Sequence, residues 1–200
     1  MPTIFPVRRV AGLCCLLAVS ALAGWTSTSA PPIELAPVQL FDEERVQAAA
    51  VVGASPVVQG QTIRAAVEIQ VGRGFHINAN PASEDFLIAT GVSIDVPGIE
   101  VVGVFYPDPL ERTFGFWPEQ LKVWEGDVVA GVLLRVTDAA AMGDTDLMFV
   151  VDYQACNDEA CFAPAQTNAR VPVIVAAAGT PARQVESPLL TSARFASDTR

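Results

Sequence analysis

The chain has 200 residues, of which 51% are hydrophobic and 17% charged, a composition that favours one well-buried domain with tails and excludes two domains of ordinary size. Its formal net charge is -10 at pH 7, Lys122 is the only lysine, and the sequence contains no basic cluster. Nucleic acids and anionic lipid surfaces are therefore excluded as expected partners.

The first 23 residues have the pattern of a secretory signal peptide. Arg8 and Arg9 precede an apolar run at residues 10–23, which ends in a small-x-small cleavage motif. A second motif of this kind ends at Ala30. A retained membrane anchor is the alternative, but an anchor needs about 20 apolar residues, more than this run provides. We expect cleavage and a periplasmic or secreted protein.

Two further segments have the composition of a linker and of a tail. Residues 24–41 are rich in Ser, Thr and Pro, and residues 179–200 are mixed and show no period. The sequence therefore predicts one domain at residues 42–178, with a linker before it and a flexible tail after it.

Within the predicted domain, apolar and polar residues alternate with period two, which is typical of half-buried β-strands. Gly and Pro mark turns between the strands, and no helical repeat is visible. We predict an all-β, immunoglobulin-like two-sheet antiparallel sandwich, with a closed barrel as the alternative. The alternation is clearest at residues 62–71, 92–96, 128–136 and 147–153.

The segment YQACNDEACFAPAQ contains the two cysteines expected in the exported protein, since Cys14 and Cys15 belong to the signal peptide. Four residues separate Cys156 from Cys161, a spacing that fits a hairpin loop between two strands. Directly opposed residues have Cα atoms about 4.5 to 5.5 Å apart, which a disulfide accepts. An exported protein lies where disulfides persist, so the two cysteines are expected to form a bond.

Such a bond is either a static bridge or a redox-active pair. Closing a loop of about six residues stabilises the fold by only roughly 2 kcal/mol, and bonds across neighbouring strands tend to be readily reduced. Spacing and compartment favour thiol–disulfide exchange over the static bridge. Asp158 and Glu159 disfavour a thiolate beside them, so we expect a partner's reactive thiolate to attack the disulfide.

The segment YQACNDEACFAPAQ resembles the active-site segment of the amino-terminal periplasmic domain of the DsbD family of thiol:disulfide interchange proteins. The resemblance continues through GRGFHINANPASEDFLIATGVSIDVPGIEVVGVFYPDP and FGFWPEQLKVWEGDVVAGVLLRV and covers residues 42–177. It implies an immunoglobulin-like sandwich that takes electrons from a thioredoxin-like domain or a membrane electron-transfer protein. The acceptors it implies are periplasmic disulfide isomerases and cytochrome c maturation proteins.

The same resemblance assigns roles to individual residues. Cys161 matches the cysteine that forms mixed disulfides, and Cys156 matches its resolving partner. A cap loop covers the pair in this family, and TFGFWPEQ occupies its place, with Phe116 as the first candidate and Phe114 or Trp117 as alternatives. The loop between the cysteines is one residue shorter than in the best-known members. Because no membrane-spanning region or thioredoxin domain follows, we expect a stand-alone version whose partners are separate polypeptides.

Two other residues are candidates for tuning the thiol chemistry. His76, the only histidine, stands where aromatic residues approach the cysteines in the family, although a strand histidine bonded to its neighbours is the alternative. Tyr153 lies three residues before Cys156, although its strand spacing also fits a core position.

Two other functions stay open from the sequence. The first is a non-catalytic binding module in which the disulfide shapes a recognition loop. The second is copper handling by Cys156, Cys161 and His76, for which two thiolates and one distant histidine are a weak signal. We expect neither a bound metal nor a cofactor.

Overall fold

The computed structural model of the protein describes residues 45–195, all of them within the compact unit Gln39–Arg200. The signal peptide expected at residues 1–23 and the linker expected at 24–41 lie outside the described residues. The elements, in chain order, are β1 (Val46–Val52), β2 (Ala54–Ser55), β3 (Val57–Val58), β4 (Thr62–Val71), β5 (His76–Asn78), β6 (Gly91–Ile94), β7 (Ile99–Phe105), β8 (Leu110–Phe114), β9 (Trp117–Trp124), β10 (Asp127–Val136), β11 (Gly143–Tyr153), β12 (Ala155–Cys156), β13 (Ala165–Ala176), β14 (Arg183–Gln184) and α1 (Pro188–Ser192).

Two four-stranded sheets form a sandwich. The first has the strand order β1-β4-β10-β7, and the second has the order β3-β13-β11-β6. Neighbouring strands are antiparallel, except that the two-residue β3 runs parallel to the end of β13. Buried side chains from both sheets belong to one hydrophobic cluster, so the sheets pack face to face. The prediction of an all-β sandwich is confirmed.

The alternation in the sequence determines which strand faces are buried. In β11, the side chains of Leu147, Phe149 and Val151 are fully buried in the core. Met148 and Val150 lie between them and are only half-buried, because successive side chains of a strand point to opposite faces. Complete burial of each large apolar side chain stabilises the fold by roughly 1.5 to 3 kcal/mol.

A third four-stranded sheet, with the order β12-β5-β9-β8, was not predicted from the sequence. Its strands β12 and β5 have two and three residues, too few for any period to be visible. This sheet contributes to a small hydrophobic cluster that is separate from the main core. Cys156 therefore lies in this third sheet and not in either sheet of the sandwich. The buried members of that cluster are Leu87, Phe114, Leu121 and Val123.

The segment that follows residue 179 is packed against the domain and is not the flexible tail expected from its composition. β14 pairs with β2, and α1 begins after Ser187, whose hydroxyl accepts a hydrogen bond from the Leu189 N–H (3.3 Å). The domain therefore extends to at least Phe195 instead of ending at residue 178. With five residues, α1 is short, and no helix among residues 45–195 is long and apolar enough to cross a membrane.

Small residues on the first sheet form the surface against which this C-terminal segment packs. Ala66 and Gly131 are directly opposed between β4 and β10, so they share one face of the sheet. Ala66 packs with Ala193 and Phe195 in a third buried cluster. The Arg194 carbonyl oxygen passes so close to Gly131 that a Cβ added there would lie 1.9 Å from it. The absence of a side chain at Gly131 allows the segment to cross the sheet.

We expect the substitution Gly131→Ala to lower the free energy of unfolding by roughly 1 to 3 kcal/mol, because the added methyl group overlaps the backbone of the C-terminal segment. Urea denaturation measures the change. Gly115→Ala is the matched control, since a Cβ there meets no atom within 4 Å, and its effect should stay within about 0.5 kcal/mol. Equal stability of the two variants would contradict the packing of this segment.

Candidate functional site: the Cys156–Cys161 disulfide

The chain changes sheets immediately before the first cysteine. β11 ends at Tyr153 in the second sheet, and after Gln154 the two-residue β12 joins the third sheet by pairing with β5. Gln154 separates the two strands, so the alternation predicted at residues 147–153 ends before Cys156. The change of sheet places Cys156 opposite His76 instead of along the main sandwich.

Cys156 and Cys161 form a disulfide with an S–S distance of 2.05 Å. The two residues are also opposed as an isolated antiparallel bridge. Hydrogen bonds flank them on both sides, from the Phe162 N–H to the Ala155 carbonyl (2.9 Å) and from the Asn157 N–H to the Ala160 carbonyl (2.9 Å). The cysteines are thus a non-hydrogen-bonded pair, the closer type in an antiparallel ladder.

The two Cα atoms are 3.9 Å apart. This is shorter than the sequence-based expectation of about 4.5 to 5.5 Å, which covered both types of opposed pair. The expected hairpin between the cysteines is present, but its paired part is limited to the two cysteines and the residues beside them. The next long strand, β13, begins only at Ala165 and pairs with β11.

Asn157 organises the loop between the cysteines. Its side-chain Oδ1 accepts hydrogen bonds from the backbone N–H groups of Glu159 (3.0 Å) and Ala160 (2.8 Å). This is the local bonding by which Asn favours turns. The loop is therefore closed by its own hydrogen bonds in addition to the disulfide.

The two sulfur-bearing residues differ in exposure. Cys156 is 0% exposed, whereas Cys161 is half-buried and packs at the edge of the small cluster that contains Phe114. A thiolate from another protein therefore reaches Cys161 more readily than Cys156. The asymmetry follows from the fold, because Cys156 lies in a sheet and Cys161 lies in the loop that returns from it.

A hairpin of aromatic residues lies over the same cluster. β8 and β9 are joined at Gly115 and Phe116, and Phe114 is paired with Trp117 across the turn. Phe114 is 9% exposed, and half-buried Phe116 stacks on it with ring centroids 5.4 Å apart. The structure brings all three cap candidates to the cluster against which Cys161 packs. It places Phe114, and not the first candidate Phe116, in the buried position.

His76 lies beside Cys156 on the neighbouring strand. It is 3% exposed, and its ring stacks on Phe114 at a centroid distance of 4.0 Å and an interplanar angle of 16°. Its Nε2 atom is buried and has no hydrogen-bond partner among the described residues. Burial lowers the pKa of His76, and the negative charges of Glu125 and Asp158 oppose this shift. The ring is therefore held by burial and by stacking on Phe114, without a hydrogen bond at Nε2 among the described residues.

Tyr153, the second tuning candidate, occupies a different environment. It is the last residue of β11, is 1% exposed and belongs to the main core cluster. It is paired with Ala165 of β13. The structure does not group Tyr153 with Phe114 and Cys161.

Gln154 is a site residue that the sequence analysis missed. Its Oε1 accepts hydrogen bonds from Asn78 Nδ2 (3.2 Å) and from the Ile88 N–H (3.2 Å), and its Nε2 donates to the Phe162 carbonyl (3.1 Å). One side chain thus connects three segments around the cysteines. The available signal in the sequence was a polar residue placed between the apolar residues Tyr153 and Ala155.

Phe162, directly after Cys161, is fixed by aromatic and cationic contacts. Its ring lies edge-to-face with Phe75 at 5.9 Å, and the Arg45 guanidinium carbon lies 4.0 Å above its centroid. These contacts position the chain on the exposed side of the disulfide.

The part of the chain that the structure describes contains no group of three or more His, Cys, Asp or Glu side chains able to hold a metal ion. Cys156 and Cys161 are joined in the disulfide, so neither sulfur is a thiolate ligand in this form. The site consists of a disulfide, a buried imidazole and an aromatic hairpin.

No protein-family model and no curated protein matches this chain. Solved structures do match it. The reduced N-terminal domain of DsbD from Neisseria meningitidis is 13% identical with a TM-score of 0.37, and the match covers 74% of this chain and 96% of that one. The N-terminal periplasmic domain of ScsB from Proteus mirabilis is 14% identical with a TM-score of 0.45, covering 66% of this chain.

The chain spans only 47% of the ScsB structure. A third match is AggA, the major subunit of aggregative adherence fimbriae type I from Escherichia coli, at 13% identity and a TM-score of 0.27, covering 65% of this chain and 96% of AggA. Likeness at these values concerns the all-β fold and assigns no function.

We expect Gln154→Leu to lower the free energy of unfolding by about 1 to 3 kcal/mol, because it removes three hydrogen bonds and leaves part of their polar groups unsatisfied. Thermal and urea denaturation of the oxidised protein measure the loss. Gln70→Leu is the matched control, since Gln70 is exposed on a strand and its side chain donates a hydrogen bond to the nearby Glu68 carboxylate (3.3 Å). If both variants lost the same stability, Gln154 would not connect the segments as described.

Proposed function

We propose that this protein is a periplasmic or secreted thiol–disulfide exchange protein that works through Cys156 and Cys161. The observation that carries the proposal is the unequal exposure of the two cysteines, one fully buried and one half-buried below an aromatic hairpin. An exchange protein needs one sulfur that a partner can reach and a second that only its neighbour can reach. A purely structural bridge needs no such difference.

The energetics of the loop also support exchange over a static bridge. The residues around the disulfide are already held by backbone hydrogen bonds and by the Asn157 side chain. Cross-linking about six residues adds only roughly 2 kcal/mol by the chain-entropy model. The main core is large and does not include the disulfide. Opening the bond therefore leaves the sandwich intact, as repeated redox cycles require.

In the proposed reaction, a partner's thiolate attacks the Cys161 sulfur and breaks the Cys156–Cys161 bond. The partner becomes joined to Cys161 by a mixed disulfide, and Cys156 leaves as a thiolate. A second partner thiolate then attacks the partner sulfur of the mixed disulfide, which oxidises the partner and releases the reduced Cys156–Cys161 dithiol. In the second half of the cycle, Cys161 attacks an oxidised acceptor, and Cys156 resolves that mixed disulfide.

The aromatic hairpin has a protective role in this proposal. Phe114, Phe116 and Trp117 cover the apolar cluster at Cys161 and limit access by small thiols and oxidants. Trp117 also contacts Phe86, whose side chain is 59% exposed, at a centroid distance of 4.9 Å. Exposed Phe86, supported by half-buried Trp117, gives a partner an apolar contact beside the half-buried sulfur.

The partners follow from the chemistry of the pair and from the sequence resemblance. Exposed Asp158 and Glu159 disfavour a thiolate in the loop, so the activated thiolate comes from the partner. We propose a thioredoxin-like domain or a membrane electron-transfer protein as the donor. A periplasmic disulfide isomerase or a cytochrome c maturation protein is the proposed acceptor.

A trapping experiment tests this function. Cys156→Ser is converted at Cys161 to its mixed disulfide with thionitrobenzoate and is then mixed with reduced thioredoxin whose resolving cysteine is replaced by serine. The thioredoxin thiolate should displace thionitrobenzoate and remain linked to Cys161. Non-reducing gels and peptide mass spectrometry identify the product and its linkage.

Cys161→Ser is the matched control, because it keeps only the buried cysteine. We expect it to resist labelling in the native state, or to transfer to thioredoxin at least about tenfold more slowly, since its thiol is not accessible. Equal reactivity of the two variants, or no protein mixed disulfide at Cys161, would contradict the proposed function.

A further inference from the structure

The proposed cycle requires a proton transfer at Cys156 that neither cysteine performs alone. Cys156 leaves as a thiolate when the disulfide opens, and it must lose a proton before it can attack Cys161 again. The residue is 0% exposed, and burial in apolar surroundings raises the pKa of a thiol. The nearest acidic residues in the chain, Asp158 and Glu159, add negative charge and so disfavour the thiolate further. A proton acceptor beside Cys156 removes this obstacle.

His76 is placed to be that acceptor. It is directly opposed to Cys156 in the β5–β12 pair, so both side chains project from the same face of the sheet with Cβ atoms about 4.5 to 5.5 Å apart. The ring is fixed by stacking on Phe114, at 4.0 Å between centroids. Its Nε2 is buried and, among residues 45–195, has no hydrogen-bond partner. A buried nitrogen without a hydrogen bond lowers the stability of the fold, and a catalytic role is one reason for a fold to retain it.

We propose that His76 accepts the proton of the Cys156 thiol in the resolving step and then releases it to solvent or to the leaving acceptor thiolate. This inference rests on the thiol–disulfide exchange function proposed above and deepens it. It assigns His76 a defined task at one cysteine, beyond a general influence on the pair.

The steps balance in protons and electrons. With an acceptor bound at Cys161, neutral His76 takes the proton from the Cys156 thiol, and the resulting thiolate attacks the Cys161 sulfur. The Cys156–Cys161 bond forms, the bond from Cys161 to the acceptor breaks, and the acceptor leaves as a thiolate that carries the electron pair. The proton on His76 then passes to solvent or to that thiolate.

The surroundings of His76 give the proton a route to solvent. A cavity of about 460 Å³ is lined by His76, Phe114 and the charged side chains of Arg73, Glu125 and Asp158. Glu125 is itself paired with Arg112 (2.9 Å). The imidazole can therefore exchange protons through this cavity while its stacked face stays covered by Phe114.

Burial and the charged groups around His76 together determine its protonation. Burial is the largest influence and lowers the pKa of His76, whereas Glu125 and Asp158 raise it by a smaller amount. The ring is thus neutral at pH 7 and able to accept a proton. It becomes protonated only below the ordinary histidine value of about 6.5.

The resolving step can be measured by itself. Reduced protein mixed with Ellman's reagent releases thionitrobenzoate twice, first when Cys161 attacks the reagent and then when Cys156 displaces the label from Cys161. The second release reports the resolving step. We compare the natural protein with His76→Phe, which keeps an aromatic ring to stack on Phe114, and with His76→Gln, which keeps hydrogen-bonding capacity without titrating.

For the natural protein, the second rate should be nearly constant just above pH 7 and should fall in acid, where His76 becomes protonated below the ordinary histidine range because burial lowers its pKa. In both variants the second rate at pH 7 should be lower by roughly tenfold or more. It should then rise continuously with pH as the thiol ionises unaided, so that the variants approach the natural protein in alkali.

The first release serves as the internal control, because His76 has no part in the attack by Cys161. An unchanged first rate and a slowed second rate in both variants support the inference. An unchanged second rate and pH profile in either folded variant overturn it, and this outcome leaves the exchange function intact. Absence of the second release from the natural protein overturns the exchange function itself.

Discussion

The site depends on one constraint, which is that Cys156 is paired with His76 on one side and with Cys161 on the other. On one side, β12 is paired with β5, which places Cys156 opposite His76. On the other side, the chain turns within four residues and places Cys161 opposite Cys156. Cys156 is therefore enclosed between β5 and the returning segment, whereas Cys161 lies in that returning segment itself. Burial of one sulfur and accessibility of the other follow directly from this pairing.

The polar side chains around the hairpin maintain that arrangement without the disulfide. Gln154 connects the cysteine segment to Asn78 and to Ile88, and Asn157 closes the loop from within. In the proposed exchange cycle, these contacts would keep the two sulfurs opposed after reduction, so that the bond could form again without a large rearrangement of the chain.

Much of the fold was predictable from the sequence because its main strands are long. β4, β10 and β11 alternate over ten or eleven residues, which is enough for period two to identify both the strands and their buried faces. The short β5 and β12 of the third sheet carry no such signal. The C-terminal segment was misjudged for another reason. Its fit to Ala66 and Gly131 arises only when distant strands meet.

The site was predictable in part. The spacing of the cysteines identified the hairpin, and the resemblance located the aromatic turn. Neither revealed that Phe114 is the buried ring, because that depends on the pairing of Phe114 with Trp117 across the turn. The role of Gln154 was also hidden, since its three partners come from separate parts of the chain.

The proposed exchange requires that the Cys156–Cys161 bond be reversible under physiological thiol conditions. Equilibration of the purified protein with glutathione buffers of known ratio, followed by alkylation and mass analysis, gives its reduction potential directly. We expect a value within the range of exchange proteins, about -120 to -270 mV. A value below about -300 mV, with no reduction by excess dithiol in the folded state, would identify a structural bridge and contradict thiol–disulfide exchange at this pair.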